Sequence, residues 1–325
     1  MLSKQWQIGA GVVLALLQVS SAWAQDKEFP TKPLRILVPF TAGSGSDTTA
    51  RFFGDRLAKQ LGQTAVVENK PGASGIISVQ ALLAQPADGH TILLASNSPI
   101  SVNPVSIKNL PYNPMTDLTP LAGLSRNMNV WVVSGNSKLN SLKDVVEYAK
   151  NNPNKPLSLA NYSAGYRLSG EWFSHMAGIK FNHITYKGGA QIFTDLMGDQ
   201  LDVGIADLGG AAALIKAGKL KAIAVSGEKR HPDFPLVPTF VDSGFAEFVN
   251  YSWTSFYVKA GTPEAIKKKL TDTLVKLRDA REGMDYNRAS GADSMPYFGE
   301  SMQKFQQDEL ERFTRIAKIA GIQPE

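Results

Sequence analysis

The chain has 325 residues, of which 43% are hydrophobic and 19% are charged, with 34 Lys and Arg against 29 Asp and Glu. This length accommodates two domains with a substantial core each, and the composition excludes bulk disorder. No cysteine is present, which excludes disulfides, cysteine nucleophiles, iron–sulfur clusters and thiolate zinc sites. The charges are scattered without runs, as on a solvated surface, and the small excess of positive charge is compatible with anionic ligands.

The first 24 residues are typical of a secretory signal peptide. Lys4 precedes the apolar run "IGAGVVLALLQV", and "AWA" at 22–24 supplies the small-x-small cleavage pattern. The apolar run is shorter than the roughly 20 residues that span a bilayer. We therefore predict cleavage after Ala24 and export to the periplasm. Because the chain also lacks the cysteine that a lipid anchor needs, we expect it to diffuse freely there.

The next segments alternate between strand and helix. "LRILVPF" is a predicted strand, and Phe52, Phe53, Leu57 and Leu61 recur at helical spacing in the segment that follows. "TAVVEN", "IISVQALLAQ" and "HTILLAS" continue as strand, helix and strand. This order predicts a parallel sheet with right-handed crossovers.

The turn between the first strand and helix, "TAGSGSD", is a candidate anion site. Gly43 and Gly45 allow close approach to the backbone amides, Ser44 and Ser46 add hydroxyls, and the helix presents unpaired N–H groups. The turn matches neither the lysine-bearing phosphate loop nor the dinucleotide fingerprint, so an ordinary strand-to-helix turn is the alternative. Asp47 either takes part in capping the helix or fixes the loop, or an ordered water, beside a ligand.

The same alternation restarts after the Pro- and Asn-rich segment 97–120 and runs from "VWVVSG" to "LKAIAVSG". Two α/β units with a ligand cleft between them are therefore predicted. "SWTSFYVKAGTP" is a further predicted strand, and we expect the chain to cross back at Trp253 so that the helical tail packs on the first unit. The predicted lobes are 25–124 together with 254–325, and 125–253, with a hinge at the two crossings.

A second glycine-containing turn, in "LANYSAGYRLSGEWF", joins a strand to a helix in the second unit. Arg167 offers a planar guanidinium that fits a carboxylate, or it is a surface arginine near a helix start. Asp207 ends the strand "LDVGIAD", where open sheets bind ligands. It either receives a ligand hydroxyl or a water, or it caps the helix that follows.

Catalytic and metal motifs are not found. The four histidines, His90, His175, His183 and His231, form no metal-ligand spacing, and no G-x-S-x-G elbow occurs. An exported hydrolase would need such an activated nucleophile or metal. No helix-turn-helix candidate is present either. We therefore expect a protein that is not an enzyme, without cofactor or metal and without a nucleic-acid partner.

Several segments together resemble one family across essentially the whole mature chain. They are "RILVPFTAGSGSDTTAR", "VVENKPGASG", "ADGHTILLAS", "ITYKGGAQIFTDLMGDQLDVGIAD", "IKAGKLKAIAVSGEKR", "PLVPTFVDSGF" and "VKAGTPEAIKKKL". In this order they resemble the Bug-type solute receptors of tripartite tricarboxylate transporters. The resemblance implies a two-lobed α/β periplasmic binding protein, a Venus flytrap of type II-like form, with two parallel or mixed sheets and a hinge. It also implies capture of an organic carboxylate and its delivery to membrane transporter subunits; we expect a monomer.

In that family the carboxylate is held by the first-strand loop and by a glycine-rich turn of the second lobe. At the second turn this sequence has Tyr166 and Arg167 where the family commonly has small polar groups. We therefore predict an aromatic carboxylate or a dicarboxylate such as terephthalate, with a short aliphatic dicarboxylate as the alternative ligand and a sensory role as the alternative function. Tyr251 and Trp253 are either aromatic walls of the site or packing residues. The predicted ligand-binding residues are Phe40, Thr41, Ala42, Gly43, Ser44, Gly45, Ser46, Asp47, Tyr162, Ser163, Ala164, Gly165, Tyr166, Arg167, Asp207, Tyr251 and Trp253.

Overall fold

The computed structural model describes residues 28–324, so the predicted signal peptide lies outside the described residues. Within this range the strands are β1 Leu34–Val38, β2 Ala65–Asn69, β3 Thr91–Ser96, β4 Leu118–Ser134, β5 Ser158–Asn161, β6 Asn182–Thr185, β7 Val203–Asp207, β8 Leu220–Val225, β9 Tyr251–Lys259 and β10 Ala292–Ser294. The α-helices are α1 Gly45–Leu61, α2 Ile76–Leu83, α3 Asn103–Ser106, α4 Pro114–Asp117, α5 Leu142–Asn151, α6 Ala164–Ala177, α7 Gly189–Met197, α8 Leu208–Lys216, α9 Glu264–Asp279, α10 Arg281–Ala289 and α11 Gly299–Ile319. A short 3-10 turn at Ala73–Gly75 and a π-helical turn at Ser98–Val102 complete the regular structure.

The described strands form one mixed sheet in the order β2-β1-β3-β9-β4-β7-β5-β6, with β8 and β10 also paired to β4. In the first half, β2, β1 and β3 run parallel, and β9 is antiparallel to both β3 and β4. In the second half, β7, β5 and β6 run parallel, and β7 and β8 pair antiparallel with β4. The strand–helix alternation predicted from the sequence is therefore present in both halves.

The two predicted sheets share one long strand. Residues 118–128 of β4 pair with β9 in the first half, whereas residues 129–134 pair with β7 and β8 in the second half. The two predicted sheets are therefore present, and they are joined into one continuous sheet through β4. The sequence does not reveal the first part of β4, because its register shifts near Pro120 and between Gly123 and Ser125 interrupt the alternation of a regular strand.

Among the residues that the structure describes, three groups of buried apolar side chains form the core. Two of them lie on the opposite faces of the first half, since Leu34, Ile36 and Val38 of β1 join one group and Leu37 joins the other. The third group surrounds Trp131 in the second half. The boundaries of the two lobes stay predictions, although the pairing of β4 locates the change of halves between residues 128 and 129.

The last helix, α11, contacts both halves. Met302 near its start belongs to a core group of the first half, whereas Phe313 and Ile316 near its end belong to the core of the second half. The sequence led us to expect the whole tail on the first unit; a helix of 21 residues is long enough to reach both. Within residues 28–324, no helix is both long and apolar enough to cross a bilayer.

Candidate functional site

A cavity of about 330 Å³ lies between the two halves, beyond the carboxyl ends of β1, β3, β5 and β7. Open α/β sheets bind ligands at this edge. Small polar residues form most of its wall: Ser44, Ser46, Thr48, Thr49, Ser96, Asn97, Ser125, Asn127, Ser163, Ser252, Thr254, Asn287 and Ser290. Aromatic surface is added by Phe40, Tyr162, Tyr166, Trp253 and Tyr286. Among the described residues that line it, Asp207 is the one acidic side chain, and none is Lys, Arg or His.

The β1–α1 turn presents backbone amides to this cavity. Gly43 has a φ of +81°, a left-handed conformation that favours glycine. Ser44 caps α1, since its Oγ accepts the N–H of Asp47 at 3.2 Å. The N–H groups of Gly45 and Ser46 belong to the first turn of α1, where no intrahelical acceptor exists, and both residues line the cavity. Together with the positive end of the helix dipole, they can bind an anion.

Asp47 holds the shape of this turn from behind. It is 3% exposed, and its carboxylate accepts the N–H of Gly43 and the side-chain amide of Asn69, both at 2.9 Å, and the guanidinium of Arg51 at 2.9 to 3.1 Å. Burial raises the pKa of Asp47, but the hydrogen bonds from Arg51, Gly43 and Asn69 outweigh it and hold that pKa below its ordinary value. Ser44 thus supplies the cap, and Asp47 fixes the loop without lining the cavity.

Asp207 is the centre of a hydrogen-bond network in the cavity wall. Its carboxylate accepts the hydroxyls of Tyr162 at 2.7 Å, Tyr166 at 2.5 Å and Ser252 at 2.6 Å. Burial, and after it the negative charge of Asp207, raises the pKa of both tyrosines well above the ordinary value. Both phenols therefore stay protonated and act as donors.

The side chain of Asp207 does not cap α8, although Asp207 is the residue immediately before this helix. The N–H groups of Gly209 and Gly210, in the first turn of α8, therefore gain no side-chain cap from it, and both residues line the cavity. A Cβ atom at Gly45 would lie 3.3 Å from Oδ2 of Asp207. Glycine at position 45 thus lets the first turn of α1 approach this carboxylate from the other half.

The amides of the second predicted turn are satisfied by the first half of the molecule. The N–H of Ala164 donates to Ser74 Oγ and that of Gly165 donates to Ser98 Oγ, each at 3.1 Å. Ser163 caps α6 with its own hydroxyl. These contacts join the two halves, so this turn, unlike the first turns of α1 and α8, does not offer the amides of Ala164 and Gly165 to a ligand.

The structure does not place every predicted site residue at this cavity. Arg167 lines a separate cavity of about 520 Å³, where its guanidinium lies 3.8 Å from Glu171. Successive helix residues are about 100° apart, so Arg167 points away when Tyr166 points into the site. Tyr251 packs under the guanidinium of Arg126 at 4.2 Å and does not line the cavity. Trp253 does line it, with its indole N–H donating to Glu309.

The remaining predicted residues divide as follows. Phe40, Gly43, Ser44, Gly45, Ser46, Tyr162, Ser163, Tyr166 and Asp207 line the cavity, and Thr41 and Ala42 line a neighbouring space of about 160 Å³. Sequence reasoning missed Ser96 and Asn97, although both stand at the end of a buried strand, as Asp207 does. It also missed Tyr286 and Asn287 of α10, which no strand-end signal marks. No group of three or more His, Asp or Glu within residues 28–324 is placed to hold a metal ion.

Comparisons with known proteins agree with this architecture. The sequence profile described as tripartite tricarboxylate transporter family receptor matches residues 49–322. A UPF0065 protein of Bordetella pertussis is 32% identical over 314 residues, which cover 96% of each chain.

Solved structures of similar proteins also agree with this architecture. R. palustris Rpa4515 with adipate superposes with a TM-score of 0.86 at 29% identity, covering 92% of this chain and 100% of that one. The periplasmic binding protein BugD superposes with a TM-score of 0.85 at 30% identity, covering 91% and 100%. The α/β periplasmic binding protein fold predicted from the sequence is confirmed by these matches.

Proposed function

This chain belongs to the tripartite tricarboxylate transporter receptor family, as the sequence segments indicated, and we propose that it binds a small organic carboxylate in the cavity between its halves and delivers it to membrane transporter subunits. Members of this family are periplasmic solute-binding receptors. Export through the predicted signal peptide and action as a monomer are parts of the same proposal. The observation that carries it is the convergence of first-turn N–H groups from α1 and α8 on one polar cavity.

The two halves each supply part of the proposed site. Gly45 and Ser46 come from the first half, and Gly209 and Gly210 from the second. A carboxylate that accepts hydrogen bonds from both sets is bound more tightly when the halves approach, so the ligand shifts the population toward closure. We expect the ligand to leave unaltered, because the described lining residues include no His or Lys that could activate a nucleophile.

The kind of carboxylate that the protein binds is also part of the proposal. The prediction of a terephthalate-like dicarboxylate depended on Arg167, and the position of Arg167 outside the cavity removes that argument. The aromatic surface of Phe40, Tyr162, Tyr166 and Trp253 still favours a flat ligand. Adipate bound to a structure 29% identical to this chain favours an aliphatic dicarboxylate. Both kinds therefore belong in the test.

The test is thermal unfolding of residues 25–325 with terephthalate, benzoate, adipate, succinate, 2-hydroxysuccinate, 2-aminosuccinate and butanoate, each paired with the analogue in which carboxamides replace its carboxylates. A ligand at a hundred times its dissociation constant adds about 2.7 kcal/mol to the native state. This raises the melting temperature by about 2 to 4 °C for each kcal/mol. We expect at least one acid to raise it, its amide not to, and mass spectrometry to recover the acid unchanged. If none of the acids raises it, the carboxylate receptor proposal is wrong.

A further inference from the structure

Asp207 gives the proposed site an acidic group where an anion is expected to bind. It follows directly on β7 and precedes the first-turn amides of α8, so a carboxylate on Gly209 or Gly210 comes close to it. The cavity wall, within the described chain, holds no Lys, Arg or His side chain to separate the two negative charges. A ligand that is only a carboxylate therefore leaves like charges facing each other, which disfavours its binding.

The carboxylate of Asp207 retains capacity for one more hydrogen bond. A carboxylate has about four lone-pair positions. Oδ1 accepts two hydroxyls, from Tyr166 and Ser252, whereas Oδ2 accepts one, from Tyr162. Asp207 lines both the main cavity and the smaller neighbouring space, so its side chain is accessible from either. Gly45 has no side chain that would cover Oδ2.

One further polar group beside the cavity, unlike Asp207, has no hydrogen-bond partner in the described chain. The hydroxyl of Ser96, a residue that lines the cavity, has no hydrogen-bond partner among the described residues, and its oxygen is buried. Buried polar groups are almost always hydrogen-bonded in native proteins. That hydroxyl oxygen is not exposed to the cavity, so the acceptor beside the amide donors of α1 and α8 is the carboxylate of Asp207, and a ligand complementary to both carries an anion and a donor.

We infer that the ligand carries a hydroxyl or ammonium group on a carbon close to its carboxylate, and that Asp207 selects for this group by accepting its hydrogen bond. The inference rests on the proposed carboxylate-binding function and narrows its ligand class to 2-hydroxy or 2-amino acids. The three hydroxyls on Asp207 orient its carboxylate, and Oδ2 is the atom that meets the ligand.

The test compares three acids that differ in one group, by titration calorimetry on the full mature protein. The acids are built on whichever carboxylate of the thermal panel binds best; for adipate they are adipate, 2-hydroxyadipate and 2-aminoadipate. We expect the hydroxy or amino acid to bind the wild-type protein about tenfold to a hundredfold more tightly than the unsubstituted acid. Equal affinity for all three acids overturns the inference and leaves the proposed carboxylate receptor intact.

The variant Asp207→Asn distinguishes two roles of Asp207, selection of the ligand's donor group and structural support of the site. Its amide removes the charge and places a donor in the network, so the amino acid should lose its advantage while the unsubstituted acid binds equally well or better. The 2-hydroxy acid should keep part of its affinity advantage in this variant, because its hydroxyl donor is uncharged. This difference distinguishes a hydroxyl donor from an ammonium donor. Asp195→Asn is the matched control, because Asp195 accepts the hydroxyl of Tyr186 at 2.5 Å outside the cavity.

Two outcomes with these variants would contradict the inference that Asp207 selects the donor group of the ligand. An unchanged preference in Asp207→Asn means that another group recognises the donor. An equal weakening of all three acids means that Asp207 only supports the fold of the site. If Asp207→Asn does not fold, as judged by circular dichroism, the comparison of the three acids in the wild-type protein still decides whether a donor is selected. Failure of every acid to bind the wild-type protein counts against the proposed function itself.

Discussion

Asp47 shows how one residue without ligand contact determines the shape of a binding turn. Its carboxylate joins the backbone of Gly43 to α1 and to Asn69 at the end of β2. The pKa of Asp47 in the folded protein is below the ordinary value, although burial opposes this. A lowered folded-state pKa gives stabilisation that is present above the unfolded pKa of about 3.9 and is lost as pH falls through the folded pKa.

The variant Asp47→Asn should therefore destabilise the protein at neutral pH and much less in acid. The amide loses the charge paired with Arg51 and presents a donor toward the Gly43 N–H or the Asn69 amide, so the free energy of unfolding at pH 7 should fall by about 1 to 3 kcal/mol. Urea unfolding at pH 7, 5 and 3 measures this, with the gap to the wild type narrowing below pH 4. Asp55→Asn, which removes an exposed partner of Lys59 on the same helix, should have little effect. A gap that is constant with pH would show that the charge of Asp47 is unimportant.

At the scale of elements, the sequence predicted those parts of the site that follow regular strands. The β1–α1 turn and Asp207 were found because buried apolar runs end directly before them, and parallel strands place their carboxyl ends at one edge. The interrupted first part of β4, β10 and the site residues of α10 were not found. Their positions depend on long-range pairing, such as that of Ala292 with Asn127, which leaves no periodic signal in the sequence. Arg167 was assigned to the site because a one-dimensional pattern does not give the direction of a helix face.

The Pro- and Asn-rich segment 97–120, which separates the two predicted units, contains an element that contacts the second half. Ser98 lies in the π-helical turn, is fully buried, and accepts the N–H of Gly165 at the start of α6. Nearby, Ser74 has a left-handed φ of 51° and accepts the N–H of Ala164. A strained residue that makes a contact between the halves is typical of a functional segment. We therefore predict that the start of α6 is a contact that forms when the halves come together.

The variant Ser98→Ala should weaken ligand binding more than it weakens the fold. Without the hydroxyl, the Gly165 N–H is buried and unpaired when the halves are together but is solvated when they are apart. The dissociation constant should rise about fivefold to thirtyfold, as expected from 1 to 2 kcal/mol. Titration calorimetry with the best panel ligand measures it. Ser106→Ala is the control, because Ser106 donates to Val102 within its own segment. Equal affinities of Ser98→Ala and the wild type would exclude this contact from closure.

At the scale of the whole molecule, α11 connects the two halves beside the place where the chain crosses between them. Glu309 accepts the indole N–H of Trp253 at 3.2 Å, and Arg312 donates to Asn250 Oδ1 at 3.2 Å. Asn250 and Trp253 flank the start of β9, at which the chain returns to the first half. Because Phe313 is packed in the second core, rotation of one half against the other must displace α11 or break these contacts.

Removing the Arg312 contacts should therefore favour separation of the halves. In Arg312→Ala the crossing segment loses the hydrogen bonds that Arg312 makes to Val249 and Asn250, so the ligand-free protein should show a larger radius of gyration by small-angle X-ray scattering. The best panel ligand should bind more weakly yet restore the compact form at saturation, because a ligand can still shift the population toward closure. Arg315→Ala is the matched control, because Arg315 is an exposed arginine of the same helix. A radius of gyration that stays at the wild-type value in both variants would mean that α11 moves freely with one half and does not restrain the hinge.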